Sequence, residues 1–439
     1  MGYFFVIQMN LLVKNAEIAD KNSSFNGKTV NFRVKDGRIT ELSDGSLNAG
    51  DSEVFDAKGM LVSPGWTDGG THLKDPGYEW LDDLESLSEA AAYGGFTRVL
   101  GFPNTQPVVQ SKEAISYFTR FNSRNAVQLL NLAAVTRDCK GEDFTDMIDL
   151  KTGGAAGFSD GKEAIQNSDI FLKTLQYLEP LDTVLVVKSE DRYLSMYGQM
   201  HEGITSTLLG MKGIPSAGEE LMIMRNLKLL EYSGVKSERP ILHFSTISTQ
   251  GAVELIREAK KKGLPVSCDI AAHHLVFTEE DLMSFDTNLK VYPPFRSEED
   301  ITALKAGLND GTIDMVVSDH NSWDEEHKTL EFDAAEFGAV GLQTVFPVAL
   351  QHGGVEGVLE TLVYNPRRIF RLTQSKVEQG EVADLTFFSV DDEYVFSENT
   401  IRSKGKNSPF LGRQLKGRAR AILNNGFFKV LDEKLAIRN

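Results

Sequence analysis

A chain of 439 residues with 41 % apolar and 25 % charged residues has the composition of a folded globular protein too long for one small domain. A net charge of −17 argues against nucleic acid or an anionic membrane surface as a partner. Two cysteines, Cys139 and Cys268, cannot build a disulfide framework or a CxxC metal motif, which fits a reducing cytoplasm, and no run approaches the ~20 apolar residues of a membrane span.

The opening Met1-Gly2-Tyr3-Phe4-Phe5-Val6-Ile7-Gln8 is apolar but lacks a basic n-region and a small-residue cleavage site. It reads as a first strand, or as residues preceding a start at Met9, rather than as a signal peptide. Leu11-Leu12-Val13 and Val30-Asn31-Phe32-Arg33-Val34 are short strand patterns, and Asp36-Gly37 is a turn signal. At the other end, segments 383–388, 418–423 and 427–430 read as strands, with Asn425-Gly426 as a hairpin turn between the last two. Neither end has strands enough for its own core. Residues 1–63 and 380–439 are therefore expected to combine into one small β-sandwich-like domain.

Over residues 64–379 the pattern changes to apolar strands alternating with amphipathic helices, such as 218–233 and 249–262. Eight strand candidates fall at 66–73, 97–102, 127–135, 155–160, 183–189, 241–246, 265–274 and 314–320. Eight βα units over about 300 residues predict an α/β fold, a closed (β/α)8 TIM barrel. Polar residues stand at or just past seven of the strand ends: His72, Asn104, Asp160, Lys188, His243, His273 with His274, and Asp319. In such barrels that face carries the active site. Imidazoles and carboxylates converging there are what zinc needs to activate water and polarise an amide.

The residues also resemble a family. Pro64-Gly65-Trp66-Thr67-Asp68, Gly94-Gly95-Phe96-Thr97, Pro103-Asn104-Thr105-Gln106-Pro107 and Gly157-Phe158-Ser159-Asp160-Gly161 occur in this order. His243-Phe244-Ser245-Thr246, His273-His274-Leu275, Ser318-Asp319-His320 and Phe337-Gly338-Ala339-Val340-Gly341-Leu342 follow. Together they resemble the dihydroorotases, cyclic amidohydrolases of the amidohydrolase superfamily that interconvert N-carbamoyl-L-aspartate and dihydroorotate in pyrimidine synthesis. The resemblance implies metal ligands at His72, Asp160, His243 and Asp319, with Asp319 also shuttling the catalytic proton, and substrate contacts at Lys74 and Asn104. Lys74 stands where the family has arginine, keeping the charge but losing the bidentate fork.

At two ligand positions the chain departs from the family: Gly70 replaces the first histidine of His-x-His, and Lys188 replaces the histidine of the fifth strand. Tyr292 and Trp323 stand where polar substrate contacts are expected and read as filling that space. With these losses the expected zinc content is at most one per chain, and none if the chain is non-catalytic. Lys188 is then expected to pair with Asp160 in place of a metal. Three readings follow: a weakly active or non-catalytic dihydroorotase homologue, a mononuclear zinc dihydroorotase or related cyclic amidohydrolase, and an enzyme for a flatter or more apolar ring. Family resemblance further implies a homodimer, and, for a non-catalytic chain, a scaffold role with aspartate transcarbamoylase.

Overall fold

The computed structural model describes residues 10–431, which divide between a curled β-sheet and a parallel barrel. The sheet takes Asn10–Ile18, Thr29–Lys35, Arg38–Ser43, Glu53–Asp56 and Leu61–Pro64 from the start of the chain. Leu385–Val395, Gln414–Asn424 and Phe427–Val430 come from its end. The two sets join where Leu61–Pro64 pairs antiparallel with Leu385–Val395. Alternation decides the buried face: in Thr29–Lys35, Val30, Phe32 and Val34 point inward. Phe55 and Phe428 lie on opposite limbs of the sheet, yet their rings are 5.0 Å apart, so the sheet curls over its own apolar face. Both turn signals are realised, because Asp36-Gly37 (φ 50 and 72) and Asn425-Gly426 (φ 53 and 77) each place two residues in the left-handed region a tight hairpin needs. The expected strand at Met1–Gln8 lies outside the described residues.

The barrel strands are Trp66–Thr71, Phe96–Gly101, Gln128–Ala133, Gly157–Phe158, Leu185–Val187, Leu242–Phe244, Val266–Ala271 and Met315–Val317, each hydrogen-bonded to the next in parallel. Seven of the eight fall within the expected segments, and the second is shifted by one residue, beginning at Phe96 and ending at Gly101 against an expected 97–102. The expected helix at 249–262 is Gln250–Lys261, capped by Thr249, whose hydroxyl accepts from the Ala252 amide at 3.1 Å. It buries Ala252, Val253, Ile256 and Ala259, one face at helical spacing.

Closure of the barrel rests on Asp68. Its carboxylate accepts from the Ser318 amide (2.7 Å), the Ser318 hydroxyl (2.8 Å) and the Thr71 hydroxyl (2.7 Å), stapling the first strand to the last. The seam continues upward as the His72 amide donates to the His320 carbonyl at 2.8 Å. At the other end, fully buried Trp66 packs 4.6 Å from Phe346 and 5.1 Å from Phe388, bonding barrel to sheet. Beside it Asp384, from the sheet, is held by Arg98 and Arg367 of the barrel. Among the described residues no helix is long and apolar enough to cross a membrane.

Candidate functional site

At the C-terminal ends of the strands lies a cavity of about 250 Å³. Its walls include Gly70, His72, Gly161, Lys162, Lys188 and Thr246, with Asp319 at the last strand. Asp319 has φ 46, a left-handed conformation uncommon for a residue with a side chain, two residues past the strand end at Val317. Its Oδ1 stands 3.3 Å from His72 Nε2, and its Oδ2 stands 3.9 Å from His273 Nε2. His273 thus lies beside the second oxygen of the same carboxylate. Burial raises the Asp319 carboxyl well above its ordinary range, and the Lys188 charge only partly opposes this. Burial, then the charges of Lys162, Lys74 and Lys188, keep the His72 imidazole neutral far below its usual range. His72 Nδ1 is buried without a hydrogen-bond partner.

The other residues singled out by sequence are placed differently. Asp160 turns away from the cavity. Its Oδ1 accepts from the amides of Val135 and Thr136, both at 2.9 Å, and its Oδ2 from the Thr136 hydroxyl at 2.6 Å. The side chain thus ties the fourth strand to the end of the third, and Gly161 and Lys162 reach the mouth instead. Asp160→Ala is expected to destabilise the fold by about 2–3 kcal/mol, since three donors lose their acceptor, without altering metal content. Thermal unfolding with elemental analysis of the same preparation checks both.

His243 is fully buried, and both ring nitrogens are engaged, Nδ1 with Ser267 Oγ at 2.8 Å and Nε2 with Asp269 Oδ2 at 2.9 Å. It lies inside the ladder, paired with Val186 and Ser267 in register, and so sits below the mouth. The residues the sixth strand presents to the cavity are Ser245 and Thr246, beyond the strand end at Phe244. On this strand, length carries the signal: His243, still within the ladder, lies in the barrel's packed layers, and Thr246, past its end, reaches the rim.

Lys188 does not pair with Asp160. Its ammonium is 3.2 Å from Glu190 Oε2 and 3.7 Å from the centre of the Tyr292 ring, whose hydroxyl donates to the other Glu190 oxygen. The Glu190 carboxylate, two residues along the same loop, is the nearer anion, since Asp160 faces the third strand. Lys74 is buried with its ammonium 3.7 Å over the Trp323 ring. Burial, then the charge of Lys162, lower its pKa to about 7. Asn104 spends its amide on the loop, donating to the Asp160 carbonyl (3.1 Å) and accepting from the Lys162 amide (2.9 Å). Tyr292 and Trp323 both line the cavity, and the Trp323 indole donates to the Phe337 carbonyl at 2.9 Å.

The donor set does not fit a catalytic metal. Zinc needs three protein ligands converging on one point. Among the described residues no group of three or more His, Cys, Asp or Glu side chains is arranged to hold an ion. At the mouth Gly70, Gly161, Lys188 and Thr246 occupy the wall positions beside His72 and Asp319. None of the four offers a donor zinc prefers at neutral pH.

The sequence pattern of the family described as Dihydro-orotase-like matches residues 59–252. A dihydroorotase of Pelotomaculum thermopropionicum is 38 % identical over 424 residues, covering 95 % of this chain and 98 % of that one. A dihydroorotase of Acetivibrio thermocellus is 35 % identical over 432 residues, covering 97 % and 100 %. Among solved structures, the L-hydantoinase (dihydropyrimidinase) of Arthrobacter aurescens superposes with a TM-score of 0.83 at 24 % identity, covering 98 % of each chain. That last likeness speaks for the fold.

Proposed function

Because the chain belongs to the dihydroorotase family, we propose that it is a dihydroorotase homologue of pyrimidine biosynthesis that no longer hydrolyses cyclic amides through zinc and acts by binding and assembly. One observation carries this reading. The cavity that should bring metal donors together holds only His72 and Asp319 from the expected set, and among the described residues no group of three or more His, Cys, Asp or Glu side chains is arranged to hold an ion. Without a metal, nothing in the mouth lowers the pKa of a water molecule toward neutrality.

The partner we propose is aspartate transcarbamoylase, in the cytoplasm, with the chain itself a homodimer. Large apolar side chains at the surface support an assembly role: Tyr193, Tyr197, Ile204, Leu208 and Tyr232, each at least 67 % exposed, follow one another along residues 193–232. Co-elution of the two purified proteins tests it, and their separate elution at micromolar concentrations counts against it.

The function itself is tested by elemental analysis of untagged protein, before and after zinc addition, with Asp319→Ala as control, alongside assay of N-carbamoyl-L-aspartate and dihydroorotate. The expected outcome is no stoichiometric metal and no turnover. About one zinc per chain, lost in Asp319→Ala and accompanied by turnover, would establish the second reading, a mononuclear zinc enzyme. The 3.3 Å approach of His72 to Asp319 is the observation that favours that alternative.

A further inference from the structure

One wall of the mouth, following the last strand, is a segment that joins no strand. Residues 329–338 run from the short helix Glu325–Lys328 to Ala339, which bridges back to His320. Glu336, Phe337 and Gly338, at the far end of the segment, line the cavity. Thr329, Leu330, Glu331, Asp333, Ala334 and Glu336 are exposed, and Phe332, Ala335 and Gly338 are buried.

Side chains from elsewhere hold this segment. Of the seven consecutive carbonyls from Phe332 to Gly338, all but that of Ala334 accept from a side chain. The Lys290 ammonium donates to Phe332, Asp333 and Ala335 at 2.6, 3.1 and 2.7 Å. The Lys328 ammonium donates to Glu336 and Gly338 at 2.8 and 3.2 Å. Trp323 and Asn321 serve the Phe337 carbonyl, and Asn407 shares that of Gly338. Lys290 is 2 % exposed and Lys328 7 %, and among the described residues neither forms an ion pair with a carboxylate. Burying an ammonium costs stability unless its protons find acceptors. Here the segment's own carbonyls are those acceptors, so its position and the two buried charges depend on each other.

The far end also has a hinge. Gly338 has φ 131, which residues with a side chain rarely adopt, and a Cβ there would meet Asn321 Nδ2 at 2.5 Å. With no strand ladder to break and few apolar side chains buried, such a segment opens at lower cost than the barrel beneath it.

We propose that residues 329–338 are a strap that closes the barrel mouth, seated on two internal cations, Lys290 and Lys328, and lifting from them while the barrel stays folded. Lifting takes Glu336, Phe337 and Gly338 out of the cavity wall. It separates the Phe337 ring from Tyr292, 5.3 Å away, and frees the Trp323 indole from the Phe337 carbonyl. The strap gates the mouth under either reading of its chemistry, and its test uses no metal and no substrate.

The test is hydrogen exchange of the full-length protein at pH 6. Burial lowers the pKa of Lys290 to about 8 and of Lys328 to about 7, so both are protonated there. The amides of Ala335, Glu336 and Gly338 are hydrogen-bonded, so their exchange reports opening. In the parent they should exchange at least about a hundredfold faster than those of the buried strand Val266–Ala271. Lys290→Met and Lys328→Met should each speed the strap at least about a further tenfold and leave that strand unchanged. Trp80 is 61 % exposed and Trp66 fully buried, so in a Trp80→Phe background acrylamide quenching reports Trp323. The quenching constant should rise at least about twofold in either lysine variant. Strap amides that exchange as slowly as the strand in the parent would overturn the proposal. So would variants that speed strap and strand alike, or neither. The comparison within the parent decides the matter even if neither variant folds.

Discussion

Gly70→His, Lys188→His and Thr246→His together are expected to raise zinc content above that of the parent, to about one per chain or more. The three positions line the cavity with His72 and Asp319. Replacing Lys188 also removes an ammonium that repels a dication. The substitution at Gly70 is the tightest, because its added Cβ would meet Val317 Cγ2 at 3.3 Å and that side chain must yield slightly. The set discriminates between two placements of the sixth-strand ligand. If Thr246 is the position facing the metal, adding Thr246→His to the other two raises zinc affinity at least about tenfold, about 1.4 kcal/mol. His243→Ala in that background then leaves zinc content unchanged, because both ring nitrogens of His243 are already bonded within the barrel. Competition with a chromogenic chelator measures both. A triple variant that binds no more zinc than the parent would show that these walls do not converge as described.

Asp384→Leu is expected to cost about 3–5 kcal/mol, the range for removing one partner of a buried ion pair. The carboxylate is buried and accepts from Arg367 at 2.7 Å and from Arg98, whose guanidinium side chains are themselves largely sequestered. The substitution leaves two positive charges where barrel and sheet meet. The parent protein should also carry this pair's signature in its pH dependence. Burial alone would raise the Asp384 pKa, but Arg98 and Arg367 outweigh it and bring it to about 2. The unfolded value is about 4, so the contribution is fully present above about pH 4 and is lost as pH falls through about 2. The stability gap between the parent and Asp384→Asn should therefore narrow across that interval, read by denaturant unfolding at a series of pH values. A constant gap would mean the carboxylate is not held by the two arginines.

The barrel was legible because its signals are local and repeated. Apolar runs of strand length, spaced by amphipathic helices and ending in polar residues, admit few folds, and Asp36-Gly37 and Asn425-Gly426 mark hairpins by backbone sterics alone. The meeting of the two chain ends in one sheet was likewise inferable, since neither end could bury its apolar face unaided.

What the sequence determined by itself, then, was the family, the barrel, and the absence of imidazoles at positions 70 and 188. Which polar groups face the mouth was decided only in three dimensions. A side chain's direction at a strand end depends on where the ladder stops and which neighbour offers the better hydrogen bonds. Asp160 satisfies the third strand rather than the cavity, His243 remains inside the packed ladder, and Lys188 finds Glu190 first. Thr246 and Lys162 reach the mouth by the same geometry, although nothing in residue type or spacing singles them out. Local pattern specifies the scaffold. Competition for partners among buried polar groups, settled only when distant strands meet, specifies the site.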